Sequence, residues 1–258
     1  VEGVYETPAQ YHAYIEPCSV LAEIDLAGRI TVRSSAQSIF YLQGRIAEEL
    51  DLPMSRVRCI APKIGGGFGG KNGVNVQPIA AALALKTGTP VKITLTRAED
   101  MEMLRSRHPA RIRMKTGAKK DGTLVAREVE LWFDAGAYAD ESPAVMSFGM
   151  LMSRGPYRCP NVSVKGHTVY TNKLKAGSFR GFGNPQATFA SESQMDELAA
   201  ALGMDPLELR RRNAMDPGDA WLGGQVVESC AAKACIEAVA ARAEAEMPVV
   251  VPFARLAG

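Results

Sequence analysis

Apolar residues recur along the chain with two different periods. Residues 16–35 carry Val20, Ile24, Ile30 and Val32 in two short extended runs on either side of the Ala27-Gly28 turn. From Ser38 to Leu50 the spacing becomes helical, with Ile39, Leu42, Ile46 and Leu50 on one face, Ser38 as N-cap and Pro53 as the stop. A short strand is expected at 56–60, a helix at 74–86 and a strand at 90–96. Residues 111–116 and 123–133 form a hairpin around the Lys119-Lys120-Asp121-Gly122 turn, and 162–170 adds another strand. Pro185 suits the first turn of a helix running to 202. Asp205-Pro206 opens a helix through 215, Pro217-Gly218 breaks it, and an Ala-rich helix with Ser229 as cap fills 229–246. Strands and helices mix without strict alternation, which predicts an α+β fold.

The bulk properties narrow the function. Of 258 residues, 47% are hydrophobic and 22% charged, with a net charge of +2, which is ordinary for a soluble globular chain. That charge points to no nucleic-acid partner, and no apolar run is long enough for a membrane span. The N-terminus has neither the basic nor the apolar region of a signal peptide. Cys18, Cys59, Cys159, Cys230 and Cys235 are odd in number and contain no C-x-x-C pair. This favours reduced thiols in the cytoplasm over disulfides, and argues against an iron–sulfur cluster held by this chain.

Gly65-Gly66-Gly67-Phe68-Gly69-Gly70-Lys71 has five glycines in seven residues. Such a run is poor in a helix or strand, but lets backbone N–H groups approach an anion closely. It satisfies both the dinucleotide pattern (Gly65, Gly67, Gly70) and the start of a P-loop (Gly65, Gly70, Lys71). Asn72, however, replaces the magnesium-binding hydroxyl of a P-loop, and the regular βαβ context is missing. A nucleotide or phosphate site at 65–71 and a purely structural turn both stay open on these grounds. A second glycine-rich loop, Phe179-Arg180-Gly181-Phe182-Gly183-Asn184-Pro185-Gln186, precedes the 185–202 helix.

Taken together, these motifs resemble the molybdenum hydroxylase family of xanthine dehydrogenase and aldehyde oxidase. Residues 64–71 are similar to its first glycine loop, and 179–186 to its FRGFG-x-PQ loop. Arg105-Ser106-Arg107-His108-Pro109 resembles its R-H-P segment. His12 to Pro17, Ser34 to Gln37, Glu192 to Leu198 and Asp205 to Asn213 also fit, all in family order. The resemblance implies that residues 1–246 are the first half of a molybdopterin-binding domain, with mixed sheets and helices, followed by an apolar tail at 247–258 of no assigned role.

The implied activity is hydroxylation of an electron-poor carbon in an N-heterocycle, purine-like, or an aldehyde, with water as oxygen source. The implied cofactor is molybdenum on molybdopterin, in bacteria the cytosine dinucleotide form. Gln37, Phe68 and Arg180 would lie at the metal centre. Gly67, Phe68, Gly69, Gly70, Arg180 and Gly181 would bind the cofactor, and Phe182, Asn72 and Arg107 the substrate. Gln37, Arg180 and Arg107 are the expected catalytic residues. His108, beside Pro109, is read as structural. The family's glutamate base stands in a Gly-Glu-Pro context that this sequence lacks. Either a separate chain carrying the C-terminal half of the molybdenum subunit supplies it or this sequence is a fragment, and the resemblance implies an iron–sulfur subunit and an FAD subunit as further partners. Animal-type purine oxidisers carry Glu where this chain has Asn72, which argues against xanthine itself.

Overall fold

The computed structural model describes residues 1–246. The tail expected at 247–258 lies outside the described residues. In chain order the strands are β1 (Glu2–Thr7), β2 (Ser19–Ile24), β3 (Ile30–Ser34), β4 (Val57–Ile60), β5 (Val91–Thr94), β6 (Ala110–Ala118), β7 (Leu124–Gly136) and β8 (Asn161–Tyr170). The helices are α1 (Ile39–Glu49), α2 (Gln77–Thr87), α3 (Arg97–Met103), α4 (Ser142–Met152), α5 (Asn184–Leu202), α6 (Pro206–Asn213) and α7 (Ala232–Glu246).

The strands make two four-stranded mixed sheets, ordered β1-β6-β7-β8 and β4-β3-β2-β5. In the first, β1–β6 and β6–β7 run antiparallel and β7–β8 parallel. In the second, β3–β4 is the parallel pair. The α+β expectation is therefore met, and the β6–β7 hairpin falls where its turn signal placed it.

Alternating burial on β6, with Ala110, Ile112 and Met114 inward, presses the first sheet on Val145 and Met146 of α4 and Ala187 and Ala190 of α5. The second sheet packs Val20, Ile30 and Val32 against Leu42 and Ile46 of α1 and Ala80, Ala81 and Ala84 of α2. A third cluster, with Leu124, Met195, Leu198 and Leu209, seats α5 and α6 on the hairpin.

Several local expectations change. Ser38 occupies the N-cap position of α1 but makes no capping bond, because its hydroxyl donates to Asn72 Oδ1 instead. The first glycine loop does not run straight into a helix: α2 starts at Gln77 rather than 74, and the Asn75 N–H is held by Gln77 Oε1 at 2.7 Å. The Ala-rich helix starts at Ala232, three residues beyond the cap expected at Ser229. Strand β5 stops at Thr94, and Thr96 with Glu99 forms a capping box that opens α3. Strand β1 and helices α3 and α4 had no counterpart in the sequence pattern.

Candidate functional site: two glycine loops joined at Phe68 and Arg180

The first loop leaves β4 and folds back over Gln37. The Gln37 N–H donates to Lys71 O at 2.8 Å, and its Oε1 accepts from Gly69 N at 2.9 Å and Lys71 N at 3.2 Å. A side chain at Gly67 would collide with that Oε1 and push the Gln37 amide out of its place. Lys71 is fully buried and donates to Glu16 O and Glu16 Oε2, both at 2.7 Å, with its ammonium 4.5 Å from the centre of the Tyr14 ring. Burial pushes the Glu16 carboxyl up, but the Lys71 and Gly65 N–H bonds outweigh it and hold the group below the usual range. Lys71 thus anchors the loop from beneath and has no reach to a phosphate. A P-loop reading of 65–71 thus loses its lysine contact, and the nucleotide- or phosphate-binding alternative finds no support here.

The second loop meets the first directly. Arg180 N donates to Phe68 O at 2.9 Å, and a Cβ on Gly69 would lie 2.6 Å from Ser178 O. Each loop carries a phenylalanine in the left-handed region followed by a glycine: Phe68 (φ 51°) with Gly69 (φ 100°), and Phe182 (φ 50°) with Gly183 (φ 92°). Non-glycine residues in that region cost energy and persist where the surroundings enforce them, often at functional sites.

The enforcing contacts are visible. His12 Nε2 donates to Ser178 O at 2.7 Å, and its ring stacks on Phe179 at 4.2 Å. Arg107 donates to Arg180 O at 2.8 Å and to Gln186 Oε1 and Gln10 Oε1 at 3.3 Å, and its guanidinium lies 3.9 Å from the Phe179 ring centre. Burial lowers the pKa of His12, which keeps the ring neutral.

What remains open to solvent is a set of donors. Gln37, Phe68, Arg180 and Gly181 are exposed. Among the described residues, the Gln37 amide nitrogen, the N–H groups of Phe68 and Gly181, and the Arg180 guanidinium have no hydrogen-bond acceptor. The Arg180 guanidinium lies 5.6 Å from the Phe68 ring centre. A cluster of unspent donors with no carboxylate among them suits a group carrying electron-rich oxygens. Among the described residues, no cluster of His, Cys, Asp or Glu could itself hold a metal ion. The site therefore fits a group that brings its own oxygens to these donors, as a metal carried on an organic cofactor would.

The structure brings Gln37, Gly67, Phe68, Gly69, Gly70, Arg180 and Gly181 to one place, with Phe182 beside them in edge contact with Phe148 at 6.4 Å. Asn72 and Arg107 sit behind this face, committed to internal bonds. Asn72 accepts from Ser38 Oγ and donates to Glu141 Oε1 at 2.7 Å and Ser178 Oγ at 3.4 Å. Arg107 turns its guanidinium to the loop rather than outward. His108 is buried and bonds Ser142 Oγ at 2.7 Å, a structural place as expected. Sequence reasoning missed His12, Glu141 and Phe148. His12 stood in a motif already noticed, whereas α4, which brings Glu141 and Phe148, gave no periodic signal.

The sequence profile of the molybdopterin cofactor-binding domain matches residues 1–214, and the chain belongs to that family. Over 218 residues it is 44% identical to a probable xanthine dehydrogenase component from Bacillus subtilis (strain 168), covering 84% of this chain and 29% of that protein. Over 229 residues it is 44% identical to the nicotinate dehydrogenase large molybdopterin subunit of Eubacterium barkeri, covering 89% of this chain and 54% of the relative. The aldehyde oxidoreductase of Desulfovibrio gigas superposes with a TM-score of 0.93 at 33% identity, over 96% of this chain and 27% of that one. The chain thus spans between 27% and 54% of the length of these relatives.

Proposed function

We propose that this chain forms part of the molybdenum-cofactor subunit of a hydroxylase acting on an electron-poor carbon of an N-heterocycle or an aldehyde, with water as the oxygen source. The observation that carries the reading is the donor face where the two glycine loops bond to each other at Phe68 and Arg180. Bound there, a molybdopterin cofactor, in the cytosine dinucleotide form that the likeness to bacterial members supports, would supply the redox chemistry. The chain's own residues hold and polarise. Gln37 is locked by its Oε1, so its amide N–H groups point away from the loop as fixed donors. Phe68 and Gly181 offer backbone N–H groups, and Arg180 offers a charge that stabilises negative charge developing on oxygen. Phe182 gives a flat substrate an aromatic face to stack on. Arg107 and Asn72 act through the loops they hold. This is a narrower part than the contact with substrate implied by the sequence.

Residues 1–246 would make up this portion of the cofactor domain. The rest of the cofactor enclosure, the glutamate base, the iron–sulfur clusters and FAD would come from the remainder of the assembly, in the cytoplasm. All five cysteines here are free thiols, which suits that compartment. In the assembled enzyme, Arg180→Ala should lower dye reduction with heterocycles and aldehydes by about 10²-fold. Gln37→Ala should slow it while molybdenum content stays near normal. Wild-type turnover in both variants would remove these residues from the metal centre.

A further inference from the structure

The two loops are held together by more than the Phe68–Arg180 bond. Glu141, the residue just before α4, is partly buried, with 28% of its side chain exposed. Its Oε2 accepts from Ser178 N at 3.0 Å, from Ser178 Oγ, and from Arg105 Nη1 at 3.0 Å. Its Oε1 accepts from Asn72 Nδ2 at 2.7 Å. One carboxylate therefore touches the end of the first loop through Asn72 and the start of the second through Ser178.

Arg105 fixes that carboxylate in turn. Its side chain is 1% exposed and also pairs with Asp140 Oδ2 at 3.0 Å. It runs between Gly73 and Gly177: a Cβ on Gly73 would overlap its guanidinium, and one on Gly177 would lie 2.9 Å from its Cδ. The two glycines thus flank the loops on the side where Arg105 passes, and they leave room for it.

We infer that Glu141 is a positioning residue, a charged latch that sets the distance between the two glycine loops and so the placing of Arg180 against Phe68. This deepens the molybdenum-hydroxylase reading and rests on it for its catalytic consequence. Four donors converge on the carboxylate, and three of them come from the two loop ends, one from Asn72 and two from Ser178. Hydrogen bonds to an ionised acceptor are stronger than neutral ones, so a single group can hold both ends. The carboxylate of Glu141 only accepts, so it turns the Asn72 Nδ2 towards itself and leaves Oδ1 for the Ser38 hydroxyl.

That polarity gives the test. Glu141→Gln removes the charge and, with its oxygen kept towards Ser178 and Arg105, turns an amide N–H onto the Asn72 amide, which either meets it donor against donor or turns over against Ser38, leaving only neutral bonds. Adding Asn72→Asp restores an acceptor there, keeps the bond from Ser38 and returns the net charge to its original value. Hydrogen exchange is read at the Arg180 and Ser178 amides in the native complex. The single variant should exchange about ten-fold faster at both, and the double should return to within about three-fold of wild type. With the compound that the wild-type complex oxidises fastest, kcat should follow the same pattern of loss and rescue, with KM changing less. Unchanged exchange at Arg180 in the single variant, or a double variant as loose as the single, would overturn the latch. Loosened loops with wild-type kcat would overturn its positioning role. Failure of the molybdenum reading would show instead as absent metal, with the exchange pattern intact.

Discussion

At the scale of single residues, the site depends on side chains that are buried and used up. His108 is 1% exposed, and burial pushes its pKa down to about 4 from the ordinary 6.5. A histidine whose folded value lies below its unfolded one binds a proton more readily unfolded. Its contribution is therefore complete above pH 6.5 and is lost as pH falls towards 4. The loss amounts to roughly 3 kcal/mol at most. The melting temperature of the purified protein should fall steeply between pH 6.5 and 4, and His108→Gln should flatten part of that fall; an equal slope in the variant would contradict it. At this scale the sequence was partly legible. The glycine runs stand out because few backbones need them, and Gln37, Phe68 and Arg180 could be picked out beside them. Glu141 could not be found, since its partners Asn72, Arg105 and Ser178 are distant in sequence and nothing local marks a carboxylate that binds across loops.

At the scale of elements, α4 is the piece that completes the site and the piece the sequence hid. Val145, Met146 and Gly149 turn inward, but Phe148 and Leu151 on the other side are apolar too and partly exposed. Without polar contrast a helical period cannot be seen. The short strand β1 was hidden for the opposite reason, since only Tyr5 of its six residues is buried. The hairpin β6–β7 was legible from its turn, α1 from its periodicity, α5 from the proline in its first turn, and α6 from its Asp205 cap and following proline. Helix α4 joins the second loop at Gly183, where φ is 92° and a Cβ would collide with Val145 O and lie 3.2 Å from Gly149 N. Both partners are backbone and cannot swing aside. Gly183→Ala should therefore destabilise the protein by about 2 kcal/mol, from strain plus the forced separation of α4 from the loop. A melting temperature unchanged within error would show that α4 is not seated on this turn.

At the scale of the whole molecule, the two sheets and their helices bring together residues that the chain keeps far apart, and the outcome is one open donor face rather than an enclosed pocket. The matched region makes up only 29% and 54% of the two relatives aligned above, and in the function proposed here the rest of the cofactor's enclosure comes from elsewhere in the assembly. The central claim is that this face works on a molybdenum cofactor, and the most direct test is metal analysis of the assembly purified from its native source, counted per copy of this chain. Close to one molybdenum per copy is expected, with none retained by residues 1–246 expressed alone. A native assembly without molybdenum, or residues 1–246 alone binding it fully, would rule out a molybdenum centre shared between this face and the rest of the assembly.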